Sequence, residues 1–292
     1  IDCVQIGIVY STQRIGMSDS LDSSEHALRH RLSWNEPVRL DKLSTRGRDF
    51  HNDRKQADAE LDELRDELAR LQRRLYAENR RKLLIVLQAM DAGGKDGTVR
   101  HVFRGVDPQG VHVTSFRQPT AEELSHDFLW RVHRVVPSNG SIGVFNRSHY
   151  EDVLVPRVDE LVPEDIWRKR YQQINDFERL LCESGTTILK FFLHISRDEQ
   201  EKRLQARLTD PEKHWKFSDD DVVQRKHWGQ YMAAYEEAFV TCGTEQVPWY
   251  VIPADQKWYR NLAIARVIVE TLQKMNPQYP PPSINLEQYD LH

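Results

Sequence analysis

Between residues 55 and 82 leucines recur three or four apart, at Leu61, Leu64, Leu68, Leu71 and Leu75, with charged residues filling the positions between them. This spacing lays one apolar stripe along a helix and predicts a long helix packed on the body of the fold. With fewer than about four heptads, the stretch is short for a dimerising coiled coil. Beyond residue 82 the period changes. Short apolar runs at 83–87, 111–116, 141–146, 187–195 and 249–252 alternate with helical spacing at 98–106, 121–135, 163–183, 197–208, 218–241 and 258–275. Continuous apolar runs are what strands buried on both faces require. Interleaved with helices they predict βαβ units and a mostly parallel sheet. Ligands of such α/β sheets sit beyond the carboxyl ends of the strands. With no internal repeat or low-complexity linker, residues 39–275 read as a single domain, followed by a proline-rich, extended tail at 276–292.

Composition narrows the class. At 292 residues, 29% charged and 39% hydrophobic, the chain reads as a soluble globular protein able to bury a large core. A net charge of −4 argues against a broadly basic, nucleic-acid-coating protein. Cys3, Cys182 and Cys242 are odd in number and far apart, which fits a reducing, cytoplasmic setting rather than a disulfide framework. No apolar run approaches the roughly 20 residues of a membrane helix, so no membrane partner is expected. Residues 1–16 precede Met17 and lack a basic n-region. They read as a leader, an upstream reading frame or an ordinary terminus, and 1–38 is expected to be a partly irregular extension.

The chemistry begins at "LLIVLQAMDAGGKDGTVR", residues 83–100. A turn from a buried strand into a helix leaves backbone N–H groups aimed at one spot, where they and the helix dipole attract an anion. Gly93, Gly94 and Gly97 permit close approach, and Lys95 can reach a phosphate as a mobile charge. Ala92, Gly93, Gly94, Lys95, Asp96, Gly97 and Thr98 therefore form a candidate phosphate loop. The pattern G-x-x-x-x-G-K-[ST] is imperfect, because Ala89 replaces its first glycine and Asp96 its hydroxyl. Asp91 and Asp96 bring carboxylates instead, suited to Mg²⁺ or to accepting a proton. A second cluster follows the third strand in "SIGVFNRSHYEDVLVPRV", with Asn146 at the tip and then Arg147, Glu151, Asp152 and Arg157 at helical spacings.

Taken together, "MDAGGKDGTVRHVF", "FNRSHYEDVLVPRV" and "DPEKHWKFSDDDVVQRKHW" resemble the polyphosphate kinase 2 family over about residues 39–275. The "NRSHYED" wording is most similar to its class III branch, whose members act on nucleoside mono- and diphosphates. The resemblance implies a P-loop, thymidylate-kinase-like parallel sheet flanked by helices, with a helical lid at about 147–182. It also implies Mg²⁺-assisted (or Mn²⁺-assisted) phosphoryl transfer between inorganic polyphosphate and nucleoside mono-, di- and triphosphates. By motif position, Asp91 serves the metal and the reacting phosphates, and Gly94 and Lys95 hold phosphate. Arg147 and Arg157 clamp phosphates from the lid side. Asn146 departs from the aspartate of other branches, so Glu151 is the expected nearby carboxylate for the nucleotide or its metal.

Polyanionic substrates on a net acidic chain demand local positive charge. Lys82, Arg100, Arg203, Arg207, Lys213 and Lys216 are the candidate polyphosphate channel, with Arg203 and Arg207 four apart on one helix face. His126 and His133 lie seven apart without a third ligand, and read as packing or surface histidines. Trp228, Tyr231, Tyr235 and Phe239 recur at helical spacing and read as core or subunit packing rather than a base-stacking platform, and exposed aromatics on the late helices make a homodimer or homotetramer the expected assembly. Two other functions compete: an ATP-dependent nucleoside monophosphate kinase, and a non-catalytic P-loop protein dimerising through the 55–82 helix.

Overall fold

The computed structural model describes residues 23–34 and 36–289. The reading of residues 1–16 lies outside the described residues. Five strands form one sheet: β1 (Lys82–Gln88), β2 (Val111–Ser115), β3 (Ile142–Asn146), β4 (Thr186–His194) and β5 (Trp249–Pro253). Each overlaps a predicted apolar run. Their order is β2-β3-β1-β4-β5 and every pairing is parallel. β1 is central, with Leu83 to Leu87 fully buried, as a strand covered on both faces must be. Because β3 and β4 lie on opposite sides of β1, successive crossovers diverge there and open a crevice beyond its carboxyl end.

In chain order the helices are α1 (Ser23–Leu28), α2 (Arg54–Glu78), α3 (Lys95–Val102), α4 (Ala121–Leu124), α5 (Trp130–His133) and α6 (Glu151–Val158). After them come α7 (Glu164–Glu183), α8 (Arg197–Thr209), α9 (Asp219–Lys226), α10 (Trp228–Cys242) and α11 (Lys257–Met275). One hydrophobic cluster joins α2, α3 and α11 to one face of the sheet, and a second joins α6, α7 and α10 to the other. The fold is a three-layer α/β sandwich.

Helix α2 starts where the Asp53 side chain accepts from the backbone N–H of Lys55 and Gln56, and ends at Asn79 in the left-handed region. Its leucine stripe points inward: Leu61, Leu68, Leu71 and Leu75 are buried and Leu64 packs against the same cluster. The face that a coiled coil would use is therefore spent inside one chain. The aromatic row behaves likewise: Tyr231, Tyr235 and Phe239 are buried, the last two against Phe192, and Trp228 is half-buried. Neither feature offers an exposed surface to a second copy.

Two long predicted helices are each broken in two. In 121–135, the Ser125 hydroxyl donates to the Glu122 carbonyl and the Asp127 carboxylate accepts from Leu129 N–H, giving the backbone local alternatives to helix. In 218–241 the break falls at His227, between α9 and α10. The expected lid at 147–182 is mostly a layer of the sandwich, because Trp167, Tyr171, Ile174, Phe177 and Leu181 on α7 are buried in the second cluster. What faces the phosphate loop instead is a 3₁₀ turn, Pro211–Lys216, together with α9.

Candidate active site

Strand β1 runs into Ala89, Met90 and Asp91, then turns through Ala92 (φ 59°) and Gly94 (φ 102°) into α3. Gly94 is the N-cap and Lys95 the first helical residue, so α3 begins three residues earlier than the pattern predicts and its positive end opens at the loop. Three side chains hold this turn. Nε2 of buried Gln200 donates to the Asp91 carbonyl at 3.0 Å. Nη1 of Arg203 donates to the carbonyls of Ala92 and Gly93 at 3.0 and 3.1 Å, and its Nη2 to those of Ala254 and Asp255. Thr98 is buried and its hydroxyl donates back to the Gly94 carbonyl at 3.3 Å.

Lys95 is buried, its Nζ donating to the Ala89 carbonyl at 2.9 Å. Burial first, and the Arg147 charge second, push its ammonium down to about 8, while Asp91, Glu151 and Asp96 pull the other way. Arg147 arrives from the end of β3 in the left-handed region, at φ 63°. Its Nη2 donates to the Asp91 carboxylate at 2.6 Å, and Glu151, then Asp91, hold the guanidinium firmly charged. Buried Gln88 anchors this turn. Turned to satisfy both neighbours, its amide donates to Glu151 Oε1 at 2.9 Å and accepts from the Ser148 hydroxyl at 2.9 Å. Asp91, Arg147 and Glu151 thus converge on one narrow cleft, closed from above by Gln224, Tyr231 and Tyr235.

Asp96, at the position of the missing hydroxyl, accepts from Asn146 Nδ2 at 2.7 Å and faces Lys216 Nζ at 3.7 Å. It ties together the phosphate loop, the tip of β3 and the 3₁₀ turn. Asn146 is accordingly a bridge to the loop.

Beneath the cleft lies a buried polar network. Lys190 on β4 donates to Glu178 at 2.7 Å, to the Tyr150 hydroxyl at 2.9 Å and to the Cys242 carbonyl at 2.6 Å. Tyr150 and His149 in turn contact Glu178 at 2.8 and 3.2 Å. His149 and Tyr150 immediately follow the Arg147 turn, so this network fixes it from below. Burial pulls the His149 imidazole below its ordinary range, while Lys190 and His149 hold Glu178 below the usual glutamate range against the effect of its burial.

Five residues expected at the site lie elsewhere or have another task. Lys82 begins β1 whereas the loop follows its last residue, which separates them by about 20 Å at the rise of a strand. Arg100 is exposed in the last turn of α3. Arg157 pairs with Glu237 at 2.6 Å and lies 4.8 Å over the Trp167 ring, on the α7–α10 side. Arg207 is tied to Asp221 at 2.8 Å and to the Lys216 carbonyl at 3.0 Å. Arg203 is close to the loop, but its donors are spent on backbone carbonyls and on Glu199, so it shapes the loop rather than lining a groove. Arg157→Ala is expected to change kcat and both KM values by less than about threefold, with a stability loss of about 1 kcal/mol or less. Steady-state kinetics check this, and a tenfold rise in either KM would restore a phosphate-clamping role.

Lys213 and Lys216 remain at the mouth, one paired with Asp210 and the other lying over Trp215. Lys257 joins them from the start of α11. Partial burial, then the charges of Arg203 and Arg260, push its ammonium down. Nothing local in the sequence distinguishes Lys257, Gln200, Gln88 or Gln224 from ordinary surface and helix residues. His126 stacks on Trp130 and His133 meets Phe177 edge-on, which accounts for both histidines by packing. Among the described residues, no helix is long and apolar enough to cross a membrane.

Comparison with known proteins decides between the readings of this cleft. The family model for polyphosphate kinase 2 (PPK2) matches residues 51–280. The chain belongs to the polyphosphate kinase 2 family. Among polyphosphate kinase 2 relatives, the AMP/ADP-polyphosphate phosphotransferase of Meiothermus ruber is 58% identical over 76% of this chain and 83% of its own. The ADP-polyphosphate phosphotransferase of Rhodopseudomonas palustris is 45% identical over 86% of this chain and 91% of its own. The crystal structure of polyphosphate kinase 2 from Arthrobacter aurescens superposes with a TM-score of 0.86 at 42% identity, covering 90% of this chain and 94% of that one. This polyphosphate kinase 2 chain is therefore a phosphotransferase, and the non-catalytic P-loop reading falls away.

Proposed function

We propose that the chain moves the terminal phosphate of inorganic polyphosphate to nucleoside mono- and diphosphates, AMP to ADP and ADP to ATP, reversibly and with Mg²⁺. The observation that carries this reading is the convergence of Asp91, Arg147 and Glu151 on one cleft at the ends of β1 and β3, with the buried Lys95 ammonium within reach of all three charges. The 58% identity to an AMP/ADP-polyphosphate phosphotransferase supports both acceptors.

In the forward direction a phosphate oxygen of the nucleotide attacks the terminal phosphorus of polyphosphate. The new P–O bond forms as the bridging oxygen leaves with the shortened chain. The protein supplies alignment and charge, which is most of what phosphoryl transfer asks of it. The loop amides and the N-terminus of α3 cradle a phosphate, and Lys95 places its charge on the oxygens where negative charge collects. Arg147, now on Asp91, is drawn onto the phosphates when they enter. Asp91 and Glu151 fit Mg²⁺: they are hard oxygen donors around a spot where a cation, the Arg147 guanidinium, already lies. Mg²⁺ held there supplies charge neutralisation of the reacting phosphates.

Pure protein with AMP, Mg²⁺ and polyphosphate, in the absence of ATP, should yield ADP. No product across AMP, ADP, GMP and GDP would sink the reading, and turnover with ATP and AMP but not polyphosphate would give the ordinary kinase instead. The Lys95 environment adds a pH dependence. With its ammonium near 8 in the free protein, the KM for polyphosphate should rise as pH climbs from 7 through 9, because the free loop loses that charge. A KM flat over this range would remove Lys95 from polyphosphate binding.

A further inference from the structure

Beside Arg203 lies a second guanidinium that the reaction described above does not use. Arg260, in the first turn of α11, is 1% exposed. Its Nε and Nη2 both donate to one oxygen, Oδ1 of Asn261, at 3.2 and 2.8 Å. Nη1 has no hydrogen-bond partner. Among the described residues no carboxylate pairs with the group, and the neighbouring charge that acts on it, Arg203, has the same sign. Its position is what matters. A β-carbon added at Gly94, the N-cap of α3, would overlap Nη1, and one added at Gly97 would lie 3.3 Å from Nη2. The guanidinium is packed directly against the phosphate loop.

A buried charge without a counter-charge is costly, and a buried donor without an acceptor adds to that cost. Arginine cannot escape by neutralising at neutral pH. Burial and Arg203 pull Arg260 down only to about 9, so it is charged where the protein works. A positive group so poorly compensated by its own chain has one adjacent place where negative charge is expected, the loop.

We infer that Arg260 is a positioning residue for the phosphate loop, a buried guanidinium that the fold leaves without a counter-charge and that a phosphoanhydride polyanion in the loop balances. This rests on the loop being the phosphate site proposed above. The geometry has one consequence for binding and one for the sequence. The ligand-free protein carries the uncompensated charge, and its relief on anion entry adds to the affinity. Gly94 must lack a side chain for the guanidinium to lie this close.

The test is thermal unfolding of the full chain, alone, with inorganic tripolyphosphate and with ADP, alongside steady-state kinetics. Arg260→Met should unfold at the wild-type temperature or above when ligand-free, with its tripolyphosphate-induced rise cut to less than half. Its KM for polyphosphate should increase about tenfold, as expected for one lost charge interaction, while the KM for AMP stays within about threefold. Arg260→Lys should recover most of the anion response. A purely structural arginine predicts the reverse: a less stable ligand-free protein with its anion response intact, and that result overturns the inference. If Arg260→Met does not fold, Arg260→Lys and Arg260→Gln carry the test, and equal anion responses from those two overturn it. A wild-type protein stabilised by neither tripolyphosphate nor ADP removes the phosphate reading of the loop and this inference together. A wild-type response that Arg260→Met leaves unchanged removes this inference alone. A loss confined to ADP assigns the balancing anion to the nucleotide's phosphates.

Discussion

Lys95→Met is expected to lower kcat with polyphosphate by about 10²–10³-fold, the loss typical of removing one preorganised group that stabilises transition-state charge. Methionine keeps most of the side-chain length and volume, so the buried space beside the Ala89 carbonyl stays filled. The variant should nonetheless fold at least as well as the parent. Folding lowers the Lys95 pKa to about 8, so the folded protein releases this proton more readily than the unfolded chain does. A base shifted down in this way destabilises the fold while it is charged, and stability recovers as pH rises from about 8 towards the ordinary lysine range. Lys95→Met removes that slope. Urea unfolding at pH 7 and pH 10 should show the variant's advantage shrinking at the higher pH. An inactive but clearly destabilised variant would mean that Lys95 is chiefly structural.

The second large effect concerns stability. Lys190→Met should cost about 3–5 kcal/mol, because it leaves the Glu178 carboxylate buried with only the Tyr150 hydroxyl and His149 to meet it. Adding Glu178→Leu should recover a substantial part of that loss, since removing both charges also removes the unpaired one. The cycle reads the coupling through denaturation midpoints, and additive single and double variants would show that the pair does not act as a unit. Activity should fall with Lys190→Met even at temperatures where it is folded. Tyr150 and His149 link the network to the turn that presents Arg147, and loosening that turn misplaces a group that must meet phosphate to within a fraction of an ångström.

The framework was readable because buried parallel strands and an amphipathic helix write long, regular patterns. All five strands, α2, α7, α8 and α11 fall where periodicity puts them, the mostly exposed edge strand β2 included. Motif residues that act next to their own sequence neighbours were readable too. Gly94, Lys95 and Asp91 share one turn, and Arg147 and Glu151 share another. Partners distant in sequence were invisible. Arg157 looks like a phosphate ligand until Glu237, 80 residues later, takes it. Arg203 looks like a groove residue until the carbonyls around it are known. Lys82 is a different case, because strand geometry alone places it at the far edge of the sheet from the loop. Arg260 was unreadable for a physical reason: its significance lies in the counter-charge it lacks, and a sequence cannot display a missing contact.

Arg147 occupies a backbone conformation that glycine adopts freely and that holds a side chain at a penalty of about 1 kcal/mol or more. The residue best for the chemistry is therefore not the residue best for the backbone. A laboratory population of this gene selected for heat resistance alone could gain from glycine at 147 only after Asp91 had changed as well, because glycine by itself would leave that buried carboxylate without its partner at 2.6 Å, and turnover would be lost with both. The same population selected for polyphosphate-driven growth would keep the arginine and seek its compensation elsewhere. Position 147 is thus a place where the competing demands on the chain can be watched apart.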